Sequence, residues 1–130
     1  MKDVVRATYD HWEGGDFGWT AWADPDIEFV LADGPTPGEW HGIPAMAAAW
    51  AELISSFEGL AVEAEEIRPL DHERVLVLTR NSGRGKASGV EIGRVTTHGA
   101  NVFHLRDGAV RRLVLYWDRA NAFADLGLDA

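Results

Sequence analysis

Apolar residues recur at helical spacing in the first half of the chain and at every second position in much of the rest. Val5, Thr8, Tyr9 and Trp12 fall on one side of a helix over 3–13, with Asp3 placed to cap it and Gly14-Gly15 to end it. After Asp16 a short helical segment carrying Phe17, Trp19 and Trp22 is expected, stopping near Asp24-Pro25. Ile27, Phe29 and Leu31 then alternate with Glu28, Val30 and Ala32, which is the period of a strand. The Pro- and Gly-rich run 33–42 reads as a loop, and Pro44 suits the first turn of a second long helix. Along that helix Ile43, Met46, Ala47, Trp50, Leu53, Ile54 and Phe57 form an apolar stripe, read as core packing.

From Leu60 the pattern is that of strands, at 60–68, 75–81, 87–92 and in a closing hairpin over 101–119. Asp107-Gly108 between two β-rich runs favours a primed turn, so the hairpin strands should pair antiparallel. Alternation then puts Asn101, Phe103 and Leu105 on one face, and Leu113, Leu115 and Trp117 on one face of the partner strand. An apolar face with a lone amide and an indole suits a pocket wall. Helices that precede strands predict an α+β domain in which helices cover one face of a curved antiparallel sheet. No internal repeat, linker or low-complexity segment breaks the chain, so a single domain over 1–130 is expected.

Composition narrows the function. The length of 130 residues suffices to bury roughly two-thirds of the unfolded chain's surface. Six Trp supply large stiff walls for a core or cavity. With no cysteine, thiolate chemistry, disulfides and Cys-based metal sites are excluded. The five His show no metal-ligand spacing, so no metal and no cofactor are expected. A net charge of −9 with no basic block speaks against nucleic acid. No apolar run is long enough to span a bilayer and the start lacks a signal-peptide pattern, so a cytoplasmic protein without a membrane partner is expected. Gly-Arg-Gly-Lys-Ala-Ser-Gly at 83–89 lacks the spacing of a phosphate loop and precedes strand residues, so it reads as an inter-strand turn.

Asp33 is in phase with Ile27, Phe29 and Leu31, so parity points its carboxylate inward beside an apolar face, where a general base would work. The same Asp-Gly-Pro run is also ordinary turn chemistry.

Several segments together resemble the SnoaL-like polyketide cyclases, within the nuclear-transport-factor-two-like superfamily that includes ketosteroid isomerase. They are the helix ending in Gly14-Gly15-Asp16, the step Trp40-His41-Gly42 and the run from Gly83 to Glu91. Val102-Phe-His-Leu-Arg-Asp-Gly108 and the ending from Tyr116 to Gly127 complete the likeness, which covers nearly the whole chain. The resemblance implies a cone, with a strongly bent sheet wrapped against helices around a ligand pocket. It also implies a homodimer across the outer sheet face, which Val102, Val114 and Tyr116 would suit, local packing being the equal alternative for them.

On this resemblance Asp33, nine residues before Gly42, matches the isomerase base that moves a proton beside a carbonyl. Asn101 stands where that enzyme has an acid hydrogen-bonded to the enolate oxygen, and an amide can donate there but cannot pass a proton. Tyr9 is a candidate for the phenolic donor, although Thr8 fits the register equally well. His98 would partner Asp33, as a His and a carboxylate do in dehydratases of the superfamily. Trp117 matches a pocket indole, and Phe29, Trp50, Phe103 and Leu115 complete the expected substrate walls. The implied functions are proton transfer next to a carbonyl on an apolar substrate, as in an isomerase, cyclase or dehydratase, or binding without chemistry. A structural interaction module of the same fold is the further alternative.

Overall fold

The computed structural model describes residues 2–14, 16, 20–33, 37–55, 57–87 and 90–128, with the backbone alone given for 2, 57–60, 84–87 and 90–95. The elements in order are α1 (Lys2–Glu13), β1 (Ala23–Leu31), β2 (Gly38–His41), α2 (Ile43–Ser55), β3 (Phe57–Pro69), β4 (Arg74–Ala87), β5 (Val90–Arg106), β6 (Ala109–Tyr116) and α3 (Arg119–Leu126). The strands form one curved sheet in the order β2-β1-β6-β5-β4-β3. The α+β class holds. The sheet is mixed, however, because β1 pairs with β6 in parallel, Phe29 beside Leu113 and Leu31 beside Leu115. Every other neighbouring pair is antiparallel.

The inner face carries most of the core. Ile27, Phe29 and Leu31 of β1, Val75 and Val77 of β4, Phe103 of β5 and Leu113 and Leu115 of β6 are buried there. α1 adds Val5, Tyr9 and Trp12, and α2 adds Met46, Ala49 and Leu53. The predicted parity of the closing hairpin is observed, with Asn101 opposite Leu115 and Phe103 opposite Leu113. Its turn has Asp107 at φ 52° and Gly108 at φ 80°, the left-handed conformations a primed turn requires.

Several expected boundaries move. The helical segment expected to stop at Asp24-Pro25 does not: Ala21 and Trp22 form a turn and β1 begins at Ala23, while 17–19 lie outside the described residues. Pro25 falls where β1 and β6 lose register between Ala23 and Glu28, the place in a ladder where a missing N–H is tolerated. The expected loop 33–42 contains the edge strand β2. Phe57 opens β3 and is not part of the α2 stripe. The stretch 83–87, expected to be a turn, extends β4, and β5 starts at Val90, so the separate strand over 87–92 is replaced by the two ends of one hairpin. Residues 117–119 are not strand: β6 ends at Tyr116, and Asp118 caps α3 by accepting from the Ala120 N–H at 2.9 Å.

α3 changes the outer face of the sheet. Val102, Val114 and Tyr116, which suited either a dimer or local packing, pack locally in a second core with Leu76, Leu78, Ala100, Ala122 and Phe123. Below α3 a charged row crosses the outer face, Glu28, Arg112, His104 and Arg74 being neighbours on successive strands. Half-burial, followed by the positive charges of Arg112, Arg74 and Arg111, lowers the His104 pKa, against a smaller opposing effect of Asp71. A histidine less basic in the folded state makes the unfolded chain bind more protons, so stability is full above about 6.5 and is lost as pH falls below it. Thermal unfolding should therefore occur at lower temperature at pH 5 than at pH 7, and His104→Gln should reduce that difference.

Candidate functional site

The helices meet the inner face of the sheet around an apolar cavity of about 160 Å³, which has Trp12 of α1, Trp50 and Met46 of α2, Phe29 of β1, Leu113 of β6 and the turn residue Trp22 among its walls. Four aromatic rings dominate it. Trp12 is the hub, its ring centroid lying 5.0 Å from Tyr9, 5.3 Å from Trp50 and 5.9 Å from Trp22. Phe29 meets Trp50 edge-on at 5.8 Å. Edge-to-face rings at these separations hold one another in place, so the walls are stiff.

A second, smaller cavity of about 30 Å³ has Trp50 in its wall as well. Its walls include Leu31, Val62, Leu115 and Trp117, together with the amides of Asn81 and Asn101. Of the expected walls, Phe29 and Trp50 line the first cavity, while Trp50, Trp117 and Leu115 line the second. Phe103 lines neither. It is fully buried behind the wall, with its ring near Tyr9, Trp12 and Trp22.

Tyr9 and Asn101 come together from opposite ends of the sequence. The Asn101 side-chain amide donates to the Tyr9 hydroxyl, and both residues are buried. Desolvation drives the Tyr9 phenol far above its ordinary pKa, only partly offset by the Asn101 hydrogen bond. The hydroxyl therefore keeps its proton and, having accepted from Asn101, retains that proton to donate. Thr8, the alternative in register, spends its hydroxyl on the Val4 carbonyl at 2.8 Å. Asn101→Leu should cost about 1–3 kcal/mol, because it leaves a buried hydroxyl unpaired. Adding Tyr9→Phe should restore much of that loss, and urea unfolding of the two single variants and the double variant measures the coupling.

Asp33 lies just past β1, half-buried, and lines neither cavity. Its carboxylate accepts from the backbone N–H of Trp117, from that of Asp118 at 3.3 Å and from the Asn121 amide at 2.7 Å. These donors sit at the start of α3, where the helix dipole also favours a negative charge. His98 is not its partner. The alternation of β5 puts His98 on the face opposite Asn101, and its exposed ring lies 3.6 Å from Glu65. Glu65 in turn accepts from Arg119 at 2.7 Å, which is the first cause of its lowered pKa. Among the described residues no group of three metal-ligating side chains occurs, and no helix is long and apolar enough to cross a membrane.

Sequence reasoning assigned Trp12 and Trp22 to helix packing and so missed them as cavity walls. It also missed Asn81. The signal was present in the alternation Val75, Val77, Thr79, Asn81, which carries an amide onto the inner face of β4, where it lines the same cavity as Asn101.

A curved mixed sheet with helices packed on its inner face over an apolar cavity defines the class of fold. Within that class the chain belongs to the SnoaL-like domain family, whose family model matches residues 5–113. Solved structures with the same fold include TerC co-crystallized with polyporic acid, at TM-score 0.74 and 21% identity over 95% of each chain. A candidate SnoaL-like polyketide cyclase from Jannaschia sp. CCS1 matches at TM-score 0.73 and 20% identity, over 98% of this chain and 92% of that one. A protein of ketosteroid isomerase-like fold from Catenulispora acidiphila DSM 44928, in complex with trimethylamine, matches at 0.72 and 15%, over 98% and 94%. No curated protein matches the chain.

Proposed function

We propose that the protein takes up a small, mostly apolar organic molecule between α1, α2 and the sheet. The observation that carries this is the aromatic-walled cavity of about 160 Å³, which the core leaves open although six Trp were available to fill it. Natural proteins are close-packed, so an apolar recess of this size between packed rings is a place for a small ligand. That TerC, of the same fold, was co-crystallized with polyporic acid supports an organic ligand. Calorimetric titration with acetophenone tests the reading. Saturable binding is expected in the wild type and its loss in Ala47→Phe, which puts a ring into the cavity. Equal binding by both would sink the proposal.

A second reading, catalysis of proton transfer beside a carbonyl as in an isomerase or cyclase, is favoured by the Tyr9–Asn101 pair. Removal of the proton next to the carbonyl sends the C–H electrons to the oxygen, and the Tyr9 hydroxyl, which lines neither cavity, is a neutral donor for that developing charge only once a ligand reaches it past Asn101. Asp33 is the carboxylate proposed as base, and it serves only by releasing contacts at the start of α3. Incorporation of solvent deuterium into the acetophenone methyl group, lost in Tyr9→Phe, is the expected sign of this chemistry. Binding without exchange would leave the protein a pocket that holds its ligand unchanged.

A further inference from the structure

We infer that the ligand is a neutral molecule with a single ring, and that Trp50 is the residue that sets this limit. The inference rests on the pocket reading above and names what the pocket selects.

Size comes first. An apolar cavity of about 150 Å³ is enough to take up benzene, and the larger of the two cavities that Trp50 lines is about 160 Å³. One ring with a short substituent fills it, and a fused system would have to leave rings in water or displace packed aromatic walls. Those walls do not yield easily, because Trp12 is held by Tyr9, Trp22, Trp50 and Phe103 at once.

Charge is the second constraint. Among the described residues, no carboxylate, ammonium, guanidinium or imidazole lines either cavity. An ion placed there would give up its hydration with no counter-charge in return. The polar side chains in the walls include Thr20 in the larger cavity and the amides of Asn81 and Asn101 in the smaller, which suit a carbonyl or hydroxyl group.

Trp50 lines both cavities and, among the described residues, is the one side chain their walls share. Toward the larger one it meets Phe29 and Trp12. Toward the smaller one it shares the wall with Leu31, Leu53 and Leu115. Its indole is thus a shared wall, and cutting it back would join the apolar space to the amide-lined space and make room for a longer ring system.

Three probes at pH 7 separate these claims: acetophenone, benzoate and 9-fluorenone, titrated calorimetrically into the wild type, Trp50→Leu and Trp50→Phe, with circular dichroism to confirm folding. The wild type should bind acetophenone at least about tenfold more tightly than benzoate, because the anion is desolvated unpaired. It should prefer acetophenone to fluorenone by a similar margin of about tenfold, because the larger ketone overpacks the walls. Trp50→Leu should remove the preference against fluorenone, and Trp50→Phe should reduce it if the leucine variant does not fold. Benzoate binding as tight as acetophenone overturns neutrality. Fluorenone binding as tight as acetophenone in the wild type, or an unchanged preference in a folded Trp50 variant, overturns the size limit while leaving the pocket reading intact. Absence of saturable binding for all three probes overturns the pocket reading itself.

Discussion

Asp33→Ala should destabilise the protein by about 2–4 kcal/mol, because it removes a carboxylate that accepts three N–H hydrogen bonds. Hydrogen bonds to charged groups are each worth about 1.5–3 kcal/mol, and the half-exposed position of Asp33 tempers their sum. Two of the donors are backbone amides at the junction between β6 and α3, so the loss should be felt there first. In amide NMR spectra the signals of Trp117, Asp118 and Asn121 should move most, and hydrogen exchange in α3 should accelerate. The outer core beneath α3, including Ala122 and Phe123, would then be less well protected. Asp33→Asn keeps one acceptor oxygen and should lose less. This outcome bears directly on catalysis, because a carboxylate kept only as a base can be removed with little effect on stability. An Asp33→Ala protein that melts with the wild type and lacks activity would therefore return Asp33 to the role of base, and would show that its contacts at α3 are dispensable.

Trp12→Ala should have a still larger effect, about 3–5 kcal/mol, the range for truncating a large buried aromatic side chain. The Trp12 ring touches four other aromatic rings and is 2% exposed. A domain of this size has only about 5–15 kcal/mol to lose. The variant should sit near the edge of folding at 37 °C, with its urea midpoint well below that of the wild type. Trp12→Phe keeps a ring in the hub and should recover a large part of the difference. If Trp12→Ala unfolds at the wild-type urea concentration, the aromatic cluster is loosely packed and the cavity walls are not stiff. The claim of size selection would then lose its physical basis, since soft walls admit larger ligands.

The elements that could be read from sequence are those with a local cause. α1 and α2 follow from apolar positions at helical spacing, and the β5–β6 hairpin follows from the demand of Asp107-Gly108 for positive φ. β2 escaped because it has four residues inside a Pro- and Gly-rich run and exists by pairing with β1. α3 escaped because its apolar residues, Ala122 and Phe123, are few and acquire meaning only against the outer face of the sheet. The parallel pairing of β1 with β6 leaves no local mark at all, since it joins segments from opposite ends of the chain. The candidate site divides in the same way. Strand parity placed Asn101 and Leu115 on the wall of the smaller cavity, and Trp117 reaches the same wall from just past the end of β6. For Asp33 parity gave a direction, but the partners that claim its carboxylate lie far along the chain, at the start of a helix that was not foreseen.

That same central pairing governs how the chain comes together in time. β1 and β2 are made early, yet the strand that must lie beside β1 is the last one in the sequence. Closing so long a segment carries an entropic cost before any contact rewards it, and folds dominated by such pairings take on the order of milliseconds to seconds to form. During synthesis α2 can cover the inner face of β1, but the edge that pairs with β6 must wait, bare, until Leu113 and Leu115 have been added. The earliest-made strand is therefore the one most exposed to wrong partners, and a chain cut short before Tyr116 would keep that apolar edge bare for as long as it survives.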